Sequence, residues 1–129
     1  MAKLLVWATG LLFFLYGVAF LFAPAEMAVL VTGDSPHTSS GVTDIRATYG
    51  GMSVAVGIVL FILASRSENL RFALLSIAII MLAMAAGRSL GMVLDGSPNA
   101  TMYAYLAAEI VVAGLALWLR TSAGRVQNT

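Results

Sequence analysis

The chain has 129 residues, enough for one domain, and carries 60% hydrophobic residues, 10% charged residues and a formal charge of +1. Soluble domains are about half apolar and about a quarter charged, so a water-soluble fold of this size would leave large apolar patches exposed; the expected solvent is a bilayer. The small net charge argues against nucleic acid, which calls for a clustered basic surface, and the absence of cysteine excludes disulfides, thiolate metal sites and cysteine nucleophiles.

Crossing about 30 Å of hydrocarbon takes roughly 20 apolar residues, and four stretches qualify. The first runs over 3–23 and stops at Pro24. Lys3, the apolar run to Phe22 and Ala23-Pro24-Ala25 imitate a secretory signal, but the run is longer than the usual apolar core of about 7–15 residues, which predicts a retained helix. Residues 25–31 predict a short helix lying at the membrane interface. The stretch 33–41, rich in Gly, Ser, Asp and Pro, reads as loop. The second span covers 43–64 with Thr43 or Asp44 as N-cap. The third covers 68–94 and ends at the turn sequence Asp95-Gly96-Ser97-Pro98. The fourth covers 100–120, with Asn99 as its cap, and the polar tail after Thr121 is expected to be mobile. The expected fold class is all-α, a single-domain bundle of four transmembrane helices.

Basic residues set the expected orientation. Lys3, Arg66, Arg71, Arg120 and Arg125 fall on one side of a four-span layout, while the loops 25–42 and 95–99 hold no Lys or Arg. Both termini and the 65–71 turn are therefore expected in the cytoplasm, with the protein in the cell inner membrane.

Three charges fall inside predicted spans: Arg46, about a turn into the second; Arg88, about two turns from the outer end of the third; and Glu109, roughly 13 Å along the fourth. A charge at the bilayer centre costs at least about 2.5–3.5 kcal/mol, and such groups usually face the bundle interior. Arginine can snorkel. Glu109 is too short to do so and calls for a partner, a proton or a water-filled cavity. Helical spacing aligns Arg46, Tyr49, Gly50, Ser53 and Gly57 on one face, Met81, Met84, Arg88 and Gly91 on another, and Met102, Tyr105, Glu109 and Val112 on a third. These faces are expected to converge on one outward polar pocket. Gly50, Gly51, Ser53, Ala55 and Gly57, the Gly87-x-x-x-Gly91 pair, and Ala107, Ala108, Ala113 and Gly114 are expected to let helices approach closely.

A structural alternative stands beside this reading: an Arg88–Glu109 pair, with Arg46 capped by Asp44 or Asp95, simply pinning the bundle. Two arginines against one glutamate favour a ligand, because a positive, tyrosine-lined cavity attracts a phosphate or carboxylate in bidentate geometry. His37 with Asp34 and Asp44 lacks metal-ligand spacing, so no metal is expected. The seven methionines read as packing, Asn99-Ala100-Thr101 as a chance match to the glycosylation pattern, and Trp7 and Trp118 as interfacial anchors.

Asp44-Ile45-Arg46-Ala47-Thr48-Tyr49-Gly50-Gly51, then Gly87-Arg88-Ser89-Leu90-Gly91 with Asp95-Gly96-Ser97-Pro98, then Glu109, resemble a bacterial membrane family catalogued as domain of unknown function forty-three forty-five. The resemblance spans nearly the whole chain. It implies a four-helix membrane protein in which Arg46, Tyr49, Gly50, Gly51, Arg88 and Glu109 match the family's pattern, and it implies no activity. The size and layout also resemble DoxX-like membrane proteins.

The leading expectation is a non-enzymatic protein that binds an anionic or amphiphilic ligand, lipid or quinone-like. Arg46 and Arg88 would hold the negative group, Glu109 would orient Arg88, and Tyr49 and Tyr105 would donate hydrogen bonds. Rival expectations are a transporter or channel subunit with Glu109 as proton carrier, which would entail oligomers or an inverted repeat, and an accessory or structural subunit of a membrane complex. No nucleophile–base pair, metal cluster or phosphate loop appears, so neither enzyme activity nor a cofactor is expected.

Overall fold

The computed structural model describes residues 1–125, with side chains through residue 122. In chain order it contains α1 (Ala2–Phe22), α2 (Pro24–Thr32), α3 (Ser39–Ile45), a π-helical turn (Arg46–Gly51), α4 (Met52–Ser65), a 3-10 turn (Ser67–Asn69), α5 (Leu70–Leu94) and α6 (Ala100–Arg125). No strand occurs among the described residues. The helical stretches Ala2–Phe22, Ser39–Ser65, Ser67–Leu94 and Ala100–Ser122 are each long and apolar enough to cross a membrane, the layout of a multi-pass membrane protein.

The short segment after the first span is helical, as its sequence suggests. Pro24 opens α2, where its missing N–H is no loss, and Gly33 closes it at φ 89° with its N–H on the Val29 carbonyl. Nine residues cannot span a bilayer. Pro24, Ala28 and Val31 form the buried face of α2, while Val29 and Leu30 are exposed.

The second span starts earlier than expected, at Ser39, and its cap is Thr38 rather than Thr43 or Asp44. The Thr38 hydroxyl accepts from the Gly41 N–H at 3.0 Å. Thr43 and Thr48 turn their hydroxyls back to the Ser39 and Asp44 carbonyls, which lets them sit inside a helix. Polar composition makes 38–41 look like loop; one side-chain cap makes it a helix start. The fourth helix runs past its expected end at 120 to Arg125. The end of the polar tail, 126–129, lies outside the described residues, as does the Arg125 side chain.

Two compact units emerge, Trp7–Ile62 and Met1–Val6 with the chain from Leu63 on. In the first, α1 and α4 run antiparallel along a seam of glycines. A Cβ on Gly17 would sit 2.6 Å from the Val54 nitrogen and 2.7 Å from the Gly50 oxygen; one on Gly57 would sit 2.7 Å from the Gly10 oxygen. These contacts are with backbone, so only glycine allows the approach. Phe13, Phe20, Ser53 and Leu60 are buried in this unit.

In the second unit α5 and α6 pack along their lengths, joined by the turn at 95–99. α5 buries Ala73, Leu74, Ile77, Ala78, Met81 and Ala85, and α6 buries Glu109, Ala113 and Ala116. The small residues behave differently from expectation here. A Cβ on Gly87 would meet nothing within 4 Å, and one on Gly91 would meet only the flexible Asp95 carboxylate, at 3.3 Å. Ala107, Ala108 and Gly114 are exposed. The buried face of α6 is the one carrying Glu109, and Ala113 and Ala116 repeat on it one and two turns later, whereas 107, 108 and 114 point elsewhere.

Candidate functional site

Glu109 does find a partner. On α6 it is 6% exposed at the side chain and faces Arg88 of α5, which is 17% exposed. Arg88 Nε donates to both carboxylate oxygens at 3.2 Å, and Nη2 donates to Oε1 at 2.7 Å. Arg88 Nη1 donates to the Met102 sulfur at 2.8 Å, and the guanidinium carbon lies 5.2 Å from the centre of the Tyr105 ring. Three of the five residues singled out from the sequence, Arg88, Tyr105 and Glu109, are thus brought into one cluster. Met102, Tyr105 and Glu109 share a helical face as their spacing predicts. Met102 is the member whose role the spacing did not reveal, because a thioether is a weak acceptor and reads as packing.

The two-edged contact matters energetically. A carboxylate buried in a bilayer without a partner is costly; fork geometry with guanidinium satisfies both groups and fixes their relative orientation. The Tyr105 ring covers a face of the cation. The loop side of α6 is also tied down, because the Asn99 side-chain oxygen accepts from the Met102 N–H at 3.1 Å. That is the cap expected from the sequence.

Arg46 and Tyr49 belong to the Trp7–Ile62 unit and have other partners. Arg46 Nη1 donates to the Leu21 carbonyl. That carbonyl is in the last turn of α1, where helical oxygens lack intrahelical partners, and a cation there also suits the helix dipole. Arg46 is therefore a cap for α1, not a partner of Asp44, and the residue as a whole is exposed. Tyr49 stacks on Phe20 with ring centres 5.3 Å apart and is 48% exposed. Gly50, Ser53 and Gly57 are buried, but Arg46 and Tyr49 are not. The π turn explains the break in the face: its wider turn, closed by the Met52 N–H on the Ala47 oxygen, shifts the residues before it around the axis.

Beside Tyr49 lies a cleft of about 240 Å³ lined by Phe20 of α1, Ala28, Val31 and Thr32 of α2, Asp34 to Pro36 of the loop, Ile45 and Tyr49. Its walls are mostly apolar and its rim is polar. The Thr32 hydroxyl is engaged with the Ala28 carbonyl at 2.8 Å, and Asp34 accepts from the Ser35 N–H at 2.8 Å and lies 3.3 Å from His37 Nε2. Sequence reading missed the α2 contribution. The signal was there: 24, 28 and 31 recur at the spacing of one helical face.

A family model described as "Domain of unknown function (DUF4345)" matches residues 1–120, which takes in Arg46, Tyr49, Arg88, Tyr105 and Glu109. No curated protein and no solved structure matches the chain. With the match reaching from the first apolar helix into the last turns of the fourth, the chain belongs to the DUF4345 family.

Proposed function

We propose that this chain is a non-enzymatic protein of the bacterial inner membrane, with both termini cytoplasmic, that binds an anionic or amphiphilic molecule of the lipid or quinone-like class from the outer side. The observation that carries the reading is the cleft bordered by Tyr49, with the exposed residue Arg46 three residues earlier. An amphiphile needs an apolar wall for its tail and a cation or hydrogen-bond donor for its head, and both are present within one compact unit. The cleft is smaller than the roughly 300–1,000 Å³ typical of sites that enclose a whole ligand, so it takes one part of the molecule, a chain end or a ring. Arg46 holds the negative or carbonyl group, and the Tyr49 phenol donates to it.

In this reading Arg88, Tyr105 and Glu109 play a supporting part. Glu109 already neutralises Arg88 at hydrogen-bond distance, which makes Arg88 a poorer magnet for a second anion than Arg46.

Native mass spectrometry with lipid extraction tests this on the detergent-purified chain. A specific co-purified amphiphile is expected on the wild type, reduced at least about fivefold in Arg46→Gln, a change of about 1 kcal/mol for one interfacial charge. It should be retained in the double variant Arg88→Met/Glu109→Leu. Loss in the double variant with retention in Arg46→Gln would move the site to Arg88 and overturn this assignment; no bound molecule in any chain would remove the binding role.

A further inference from the structure

The unit Trp7–Ile62 holds one arginine, Arg46, and no lysine, against three acids, Glu26, Asp34 and Asp44. A ligand bringing only negative charge would meet an acidic surround. Of the three acids, Asp34 is the one that lines the cleft beside Tyr49. Its side chain is 77% exposed and so open to an incoming group. Asp34 Oδ1 accepts from the Ser35 N–H at 2.8 Å, and Oδ2 faces His37 Nε2 at 3.3 Å. A neutral imidazole leaves the carboxylate's charge uncompensated, and no lysine or arginine pairs with Asp34 among the described residues.

Arg46 adjoins the same cleft from another element. Its guanidinium is held at the Leu21 carbonyl, next in the chain to Phe20, and Arg46 itself follows Ile45; both Phe20 and Ile45 line the cleft. A cation and a carboxylate beside an apolar wall of Phe20, Ala28, Val31 and Ile45 complement an amphiphile whose head carries both charges. The aromatic side chains decide the form of its positive group. A quaternary ammonium is recognised by a cage of ring faces, but Phe20 is 1% exposed and stacked on Tyr49, which leaves one accessible ring. A carboxylate oxygen instead accepts from the N–H groups of a primary ammonium.

We infer that the occupant of this cleft is a zwitterionic phospholipid with a primary ammonium, of the phosphatidylethanolamine type. Its phosphate is held by Arg46, its ammonium by Asp34, and an acyl segment lies along the apolar wall. The inference rests on the binding role proposed for Arg46 and Tyr49 and names the headgroup chemistry of that site.

The test uses the full chain in dodecyl maltoside, stripped of lipid, at about pH 8, where imidazole side chains are ordinarily neutral. It is titrated with phosphatidylethanolamine, phosphatidylglycerol and phosphatidylcholine of matched chains and with soluble phosphoethanolamine, binding being read by native mass spectrometry. Wild type is expected to bind phosphatidylethanolamine at least about fivefold more tightly than the other two lipids, the scale of one charge-assisted contact at an interface. Asp34→Asn keeps a side-chain oxygen for the Ser35 N–H, and with it the loop. It should weaken phosphatidylethanolamine at least about fivefold while phosphatidylglycerol holds or tightens. Asp44→Asn removes the same charge from outside the cleft lining and should leave the preference intact. Arg46→Gln should weaken phosphatidylethanolamine and phosphatidylglycerol alike. A wild type without the preference, a preference that survives Asp34→Asn, or one lost equally in Asp44→Asn would overturn the headgroup assignment and leave Arg46-dependent binding standing. Lipid binding indifferent to Arg46→Gln would overturn the binding role itself, and this assignment with it. Phosphoethanolamine binding as tightly as the whole lipid would overturn the lipid as the source of the headgroup.

Discussion

The two compact units of this molecule hold their helices by opposite means. Between Trp7 and Ile62, α1 and α4 touch backbone to backbone where Gly17 meets Val54 and Gly57 meets Gly10. In the other unit α5 and α6 approach without a glycine contact at Gly87 or Gly114, and the distinctive tie is the Arg88–Glu109 fork with Tyr105 and Met102 around it. Lipid tails are as apolar as leucine, so packing helices in a bilayer gains little from the hydrophobic effect. Close dispersion contact and polar pairing are the two remaining routes; backbone contact at glycines marks the first unit and a buried ion pair marks the second.

The contrast makes the ion pair the most damaging place to cut. Glu109→Leu leaves a half-buried guanidinium without its carboxylate, and an unfolding free energy lower by about 3–5 kcal/mol is expected from thermal or denaturant melts in detergent. Adding Arg88→Met to that variant should recover most of the loss, because no unpaired charge then remains; a double variant as unstable as the single one would show that the pair is not the tie.

Gly17→Ala strikes the other unit. Its new Cβ would meet the Val54 nitrogen at 2.6 Å, and separating the helices to relieve the clash should cost about 1–3 kcal/mol in the same melts. If Gly17→Ala were neutral, the glycine seam would lose its standing as the counterpart of the ion pair. The smallest effect is expected from Gly87→Ala. Its Cβ enters open space and raises helix propensity, so stability should stay level or rise by up to about 1 kcal/mol. A large loss there would mean that Gly87 faces a close neighbour in the membrane, such as a second copy of the chain.

Much of this was legible in advance. Four apolar stretches, the short helix Pro24–Thr32 and the Asn99 cap follow from length, proline and glycine placement and one capping side chain. The Arg88–Glu109 pair was also readable, because a carboxylate about two turns into one span and a guanidinium about two turns from the end of its antiparallel neighbour leave each other as the nearest relief from lipid. The helix start at Ser39 was not. Ser, Gly and Thr favour loops and helix caps alike, and only the Thr38 hydroxyl bond to Gly41 decides between them.

By itself, then, the sequence determined the elements and the charges that had to be paired, because periodicity, hydropathy and the cost of a buried charge act locally or leave few partners. Tertiary structure alone decided which glycines are contacts, that Arg46 caps α1 at Leu21, and that Tyr49 turns out to stack on Phe20 beside a cleft. The physical reason is rotation about helix axes. A glycine looks the same whether it faces backbone or lipid, and one wide π turn at Arg46–Gly51 displaces the face read across it from an ideal helical period.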